Sequence, residues 1–167
     1  MQVGSPKSDV AALLQRLVAR ELPSGSTLEA WDSFLRAHAT LMRRLEVDLG
    51  QATGLALADF DVLAQLARAG GELRMTELAD RALISRSGMT RRVARLVEEG
   101  LVQRANAASD GRGVVIALTD TGLARLAETA PVHLRGISEL FVARLDTEEL
   151  AALENALNKV TAECTFG

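Results

Sequence analysis

Cysteine, histidine and proline are all scarce in this chain of 167 residues, and each shortage excludes a class of protein. The single cysteine, Cys164, cannot close an internal disulfide, which excludes a small secreted fold held by cross-links. One cysteine with two histidines, His38 and His133, is a poor stock of zinc ligands, and no metal or other cofactor is expected. The three prolines and 13 glycines follow no period, which excludes collagen-like and low-complexity chains. Apolar runs stop at five residues, as in Val114 to Leu118, far short of the ~18 needed to span a membrane. The amino-terminal stretch has no basic segment followed by an apolar one, so the chain reads as cytoplasmic with no membrane partner.

What is present is 48% hydrophobic and 25% charged residues, which suits one compact domain or one domain with appended helices. The net charge of −3 is unevenly spread. Between positions 81 and 112, seven arginines (81, 86, 91, 92, 95, 104 and 112) stand against Glu98, Glu99 and Asp110, a local +4 on an otherwise acidic chain. An anion-binding module on an acidic scaffold has this asymmetry, and so does an ordinary solvated face. Arginine is also the habitual base of the whole chain, 17 Arg to 2 Lys, so its abundance alone argues nothing.

Apolar spacing places the elements. Ser8 can cap a helix whose Val10, Leu13, Leu14, Leu17 and Val18 share one face and which ends near Leu22-Pro23. Leu28, Trp31, Leu35, His38, Met42, Leu45 and Leu49 alternate steps of three and four, the signature of a long helix, with Phe34 and Leu41 widening the stripe. A shorter helix over Ala58 to Ala69, with Phe60, Leu63 and Leu66 inward, stops at Gly70-Gly71. Thr76 and Ser85 are then expected to cap two closely spaced helices, the second ending at Gly100. Leu101 to Asn106 and Val114 to Leu118 read as two strands joined by the turn-forming Ala107 to Gly113. Thr119 opens another helix, with Leu123, Leu126, Ala130, Leu134, Ile137 and Phe141 inward and Pro131 as a kink. A capping box, Asp146 with Glu149, opens the last one. Helix, turn, helix, hairpin is the order of the middle of the chain.

In the second helix of the pair, Met89, Val93, Leu96 and Val97 form the buried stripe. At 100° per residue, Ser87, Arg91, Ala94 and Glu98 face away, with Gly88, Thr90 and Arg95 at the margins. Small residues followed by an arginine on a presented helix suit the DNA major groove, where a guanidinium can donate two hydrogen bonds to guanine. A solvated amphipathic helix has the same pattern. At the hairpin tip Arg112 lies between two glycines, where its guanidinium can enter a narrow minor groove or grip phosphate, and Asp110 is near enough to pair with it. The same four residues also describe a plain solvent turn.

The run from Thr76 to Gly122, with Thr-Glu-Leu-Ala, Ser-Arg-Ser-Gly-Met-Thr-Arg-Arg-Val, Leu-Val-Glu-Glu-Gly-Leu-Val-Gln-Arg, Ser-Asp-Gly-Arg-Gly and Ala-Leu-Thr-Asp-Thr-Gly, resembles the winged-helix core of the MarR family of bacterial transcriptional regulators. With its flanking helices the resemblance covers about residues 27 to 163. It implies a mainly α fold with a small β-hairpin wing, a winged helix-turn-helix core flanked by long dimerisation helices. The implied organisation is a tail and extra helix over 1–25, a dimerisation helix over 26–55, a DNA-binding lobe over 56–119 and C-terminal dimerisation helices over 120–167. The helix near Ser8 lies outside the usual family core.

A homodimer bound to a pseudo-palindromic operator in double-stranded DNA is therefore expected, with Ser85, Arg86, Ser87, Thr90, Arg91, Arg95, Asp110 and Arg112 at the DNA. The resemblance also implies a crevice for a small aromatic acid whose binding releases DNA, with Trp31, Phe34, His38, Met42 and Asp61 as its lining. A Trp or His in a helical stripe is otherwise a packed core residue. No Ser/His/Asp set, phosphate loop or metal-binding pair stands at a useful spacing, so no enzyme is expected. The competing readings are a winged-helix protein-interaction module that binds no DNA, which the +4 segment and Arg112 count against, and an all-helical ligand carrier or enzyme.

Overall fold

The computed structural model describes residues 6–23, 28–82, 84–106 and 114–163. Among the described residues, seven α-helices and three strands follow one another as α1 (Pro6–Glu21), α2 (Glu29–Thr53), α3 (Leu57–Arg68), β1 (Glu72–Arg74), α4 (Met75–Arg81), α5 (Arg86–Glu98), β2 (Val102–Asn106), β3 (Val114–Leu118), α6 (Asp120–Leu140) and α7 (Thr147–Glu163), with a short 3-10 turn at Val142–Arg144. The chain forms two compact units, 1–42 and 43–167, whose boundary falls within α2.

In the first unit, α1 spans Pro6–Glu21, so Ser8 lies within the helix rather than before it. Its Val10, Leu13, Leu14 and Leu17 are exposed. No helix among the described residues is long and apolar enough to cross a membrane.

The second unit holds the core. Leu63, Leu66, Leu78, Met89, Val93, Leu96 and Ile116 are fully buried where α3, α4 and α5 pack on one face of a three-stranded antiparallel sheet, ordered β1-β3-β2. Leu73 and Arg104 both pair with Ile116, which therefore occupies the central strand. β1 is too short to have a sequence pattern and exists through that pairing. Its presence moves the start of α4: Arg74, not Thr76, is the capping position, and the Glu77 carboxylate accepts a hydrogen bond from the Arg74 amide (3.2 Å). The other caps form as the sequence indicates. The Ser85 hydroxyl accepts from the Gly88 amide (3.2 Å), the Thr119 hydroxyl from Gly122 (3.0 Å), and Asp146 and Glu149 exchange bonds with each other's amides (2.8 and 2.9 Å).

Stripe assignments shift on α2, α5 and α6. On α2 only Leu45 and Leu49 are buried, while Trp31, Phe34, Leu35 and Met42 are exposed. Val97 is 37% exposed because it lies ~80° around α5 from Met89, at the edge of the face that Met89, Val93 and Leu96 define. On α6 the inward face is Leu126, Thr129, Ala130 and Ile137, while Leu123 and Leu134 are exposed. The helix runs through Pro131 without interruption. α2 and α6 approach closely at Gly136, where an added Cβ would lie 2.7 Å from a Leu45 methyl. The Arg125 guanidinium donates to the carbonyl of Thr53 at the end of α2, and the Glu46 carboxylate accepts from the Leu57 amide (3.0 Å), supplying the cap that Ala56 cannot.

Candidate nucleic-acid interface

α5 presents the exposed face that its periodicity describes. Ser85, Arg86, Ser87, Thr90 and Arg91 are exposed. Burial of Met89, Val93 and Leu96 fixes the roll of the helix and leaves Ser87 and Arg91 pointing outward. The hydroxyls at the amino-terminal end are partly engaged: Ser85 caps the helix, its oxygen lies 3.4 Å from that of Ser87, and Thr90 donates to the carbonyl of Arg86 (2.9 Å). Gly88 permits this tight turn, because a Cβ there would stand 2.9 Å from an Ile84 methyl and 3.0 Å from the capping oxygen. The first turn of α5 carries no acidic side chain, so the positive end of the helix dipole is open to an anion.

The arginines of α5 divide into two kinds. Arg91 is exposed and forms no ion pair among the described residues. Arg92 and Arg95 turn back toward α3 and meet Asp59, whose side chain is 7% exposed. Arg92 Nη1 donates to Asp59 Oδ1 (2.7 Å), and Arg95 Nη2 donates to both carboxylate oxygens (2.6 Å each). The hydrogen bond to Asp59, and then its charge, hold the Arg95 guanidinium above its ordinary pKa, with a smaller pull from Glu99 at 3.8 Å. Arg95, expected at the DNA from its place at the helix margin, is thus tied to the protein's own interior. Nothing in the sequence marks Asp59 as its partner: the arginines lie 33 and 36 residues away on another helix.

β2 and β3 pair in register from Val102 with Leu118 to Asn106 with Val114, forming the stem of the expected wing. Asp110 and Arg112 lie outside the described residues.

The aromatic residues expected to line a pocket form a row on α2. The Trp31 and Phe34 rings are 6.1 Å apart, the Phe34 and His38 rings 6.3 Å, and Trp31, Phe34 and Met42 are exposed. Asp61 lies on α3 in the second unit and accepts from Gln65 Nε2 at 3.4 Å. Its charge acts on His133 of α6, whose ring sits 4.5 Å from that of Phe60 with a buried Nδ1 lacking a partner among the described residues. Burial pushes the His133 pKa below the ordinary histidine range; Asp61 pulls it up and Arg68 presses it down. The only sequence signal for this placement is the spacing of His133 between Ala130 and Ile137 on the inward face of α6.

Comparison with known proteins fits this geometry. A family model described as the MarR family matches residues 53–113, from the end of α2 to the last residue before β3. An uncharacterized HTH-type transcriptional regulator of Bacillus cereus is 34% identical over 106 residues, 64% of this chain and 69% of the relative. Among solved structures, AbsC of Streptomyces coelicolor, a MarR family transcriptional regulator, superposes with a TM-score of 0.79 at 30% identity, covering 86% of this chain and 97% of its own. Sco3205, a MarR family regulator of the same organism solved in complex with DNA, gives a TM-score of 0.79 at 33% identity over 87% and 95% of the two chains.

Proposed function

The chain belongs to the MarR family of DNA-binding transcriptional regulators, and from that premise we propose that it is a homodimeric repressor of a pseudo-palindromic operator, released by a small aromatic acid. The observation that carries this reading is the exposed outer face of α5, where Ser87, Thr90 and Arg91 stand together while Arg92 and Arg95 pair with the buried Asp59. Small side chains at the start of the helix let its backbone approach the major groove, and the open amides of its first turn suit a phosphate. Arg91, one turn along, is placed to donate both guanidinium nitrogens to a guanine edge. Arg112, between two glycines in the sequence that joins β2 to β3, adds a minor-groove or phosphate contact. A two-fold dimer repeats these contacts about one helical turn apart, so the operator mirrors the protein's symmetry. In this arrangement α2 and the C-terminal helices α6 and α7 join the protomers, and residues 56–119 form the DNA-binding lobe.

Substitution of Arg91 tests the reading. Arg91→Ala is expected to cost about 1 to 3 kcal/mol of affinity for a duplex selected from a random pool, and to relax preference at one position in each half-site. Repeating the selection with the variant measures both. Equal losses on the selected and an unrelated duplex would make Arg91 a phosphate contact and remove the base-reading role.

Release requires an effector that prefers the DNA-incompetent form, since equal affinity for both forms shifts nothing. The exposed row Trp31, Phe34 and His38 supports an aromatic acid, which can stack on the rings and hydrogen-bond the imidazole. Such an acid should quench the fluorescence of Trp31, the single tryptophan, in proportion to operator release, and His38→Ala should weaken both effects together. A broad panel of aromatic acids that changes neither signal would remove the effector from this account.

A further inference from the structure

Asp59 is the one buried charged residue among the described residues, and it lies directly beneath the DNA-facing helix rather than in a pocket of its own. One carboxylate there holds two guanidiniums separated by a single helical turn. Arg92 is mostly covered, but the Arg95 side chain is half exposed, with Glu99 on its other side at 3.8 Å. Arg95 stands one turn beyond Arg91 on the same helix, so its guanidinium would be within reach of a phosphate were it not bound at 2.6 Å to both oxygens of Asp59. Arginine contacts to phosphate raise affinity for every sequence alike, and each adds about 0.9 to the slope of log affinity against log salt. Useful discrimination depends on the ratio of specific to non-specific binding, which such a contact lowers.

We propose that Asp59 is a specificity-determining positioning residue: it withholds Arg95 from the DNA backbone, while Arg91, one turn earlier, stays exposed on the outer face of α5. This rests on the DNA-binding reading above, and goes beyond it by naming a group that never touches DNA. The carboxylate acts by sequestering charge, so removing its charge while keeping its shape should loosen discrimination without removing the reading side chain.

The test is a salt titration of the full-length protein on two fluorescent duplexes, one selected by the wild-type protein from a random pool and one unrelated duplex of equal length. Asp59→Asn is expected to bind the unrelated duplex about tenfold more tightly near 0.1 M salt, with its slope steeper by about one contact, and so to lose discrimination. Arg95→Gln alone is expected to leave both slopes at their wild-type values, and Asp59→Asn/Arg95→Gln to return the slope of the single Asn variant to wild type. Equal weakening on both duplexes by Asp59→Asn with unchanged slopes would overturn the proposal and leave Asp59 a structural residue. Should Asp59→Asn fail to fold, Arg95→Gln decides: an unchanged slope supports the proposal, and a slope lower by about one overturns it. A wild-type protein that binds neither duplex would instead overturn the DNA reading itself, before any variant is made.

Discussion

Gly122→Ala is expected to cost about 3 kcal/mol of folding stability, a large share of the roughly 5 to 15 kcal/mol that holds a domain folded. Gly122 is the third residue of α6, and its amide donates to the Thr119 hydroxyl that caps the helix (3.0 Å). That hydroxyl in turn donates to the carbonyls of Gly100 (2.7 Å) and Leu101 (3.0 Å), drawing the start of α6 down onto the chain entering β2. A Cβ at 122 would lie 2.0 Å from the Leu101 carbonyl oxygen and 2.9 Å from a Leu118 methyl. The first obstacle is backbone and cannot swing aside. The helix must therefore lift, breaking the cap and opening the sheet edge beneath it. Urea denaturation measures the loss, with Gly50→Ala as the control: Gly50 lies inside α2 with open space around it, so alanine there should stabilise by about 0.5 to 1 kcal/mol. A Gly122→Ala protein with the wild-type midpoint would show that α6 does not dock at Leu101 as described.

Leu157→Asp is expected to split the proposed dimer. On α7, Leu157 and Val160 are 37% and 62% exposed in the single chain, more apolar surface than a lone helix end leaves in water without a partner. In a symmetric assembly each such residue is covered twice over, once in each protomer. A carboxylate at 157 would be desolvated without a counter-charge, costing on the order of 3 kcal/mol and weakening association about a hundredfold. Since Leu157 is outside the core of the protomer, the fold itself should survive. Sedimentation velocity at low micromolar concentration distinguishes the outcomes: a folded monomer is the expected result, and a variant that stays dimeric places the interface elsewhere.

Local signals were legible in the sequence and long-range ones were not. Ser85, Thr119 and the Asp146/Glu149 pair each cap the helix their position announces, because a cap is a contact between residues three apart. Gly70, Gly71 and Gly100 adopt the positive φ that a helix stop needs. β1 left no trace, since Glu72-Leu73-Arg74 is a strand only by pairing with β3 more than 40 positions away. Separation in sequence also hid Asp59, whose partners lie on another helix, and His133, whose neighbours Phe60 and Asp61 are on α3. Periodicity found the exposed face of α5 but could not see that Arg92 and Arg95 pair with Asp59. It also overcounted the buried stripes, because the steps of three and four that mark a helix do not say how wide its covered face is, and Val97, Leu123 and Leu134 fell just outside.

The most direct test of the account is binding of the purified protein to duplex DNA selected from a random pool, titrated at several salt concentrations. The account predicts an enriched, roughly two-fold symmetric sequence bound at least about a thousandfold more tightly than an unrelated duplex, with log affinity falling linearly as log salt rises. Selection that enriches no sequence, or equal affinity for every duplex at every salt concentration, would contradict it.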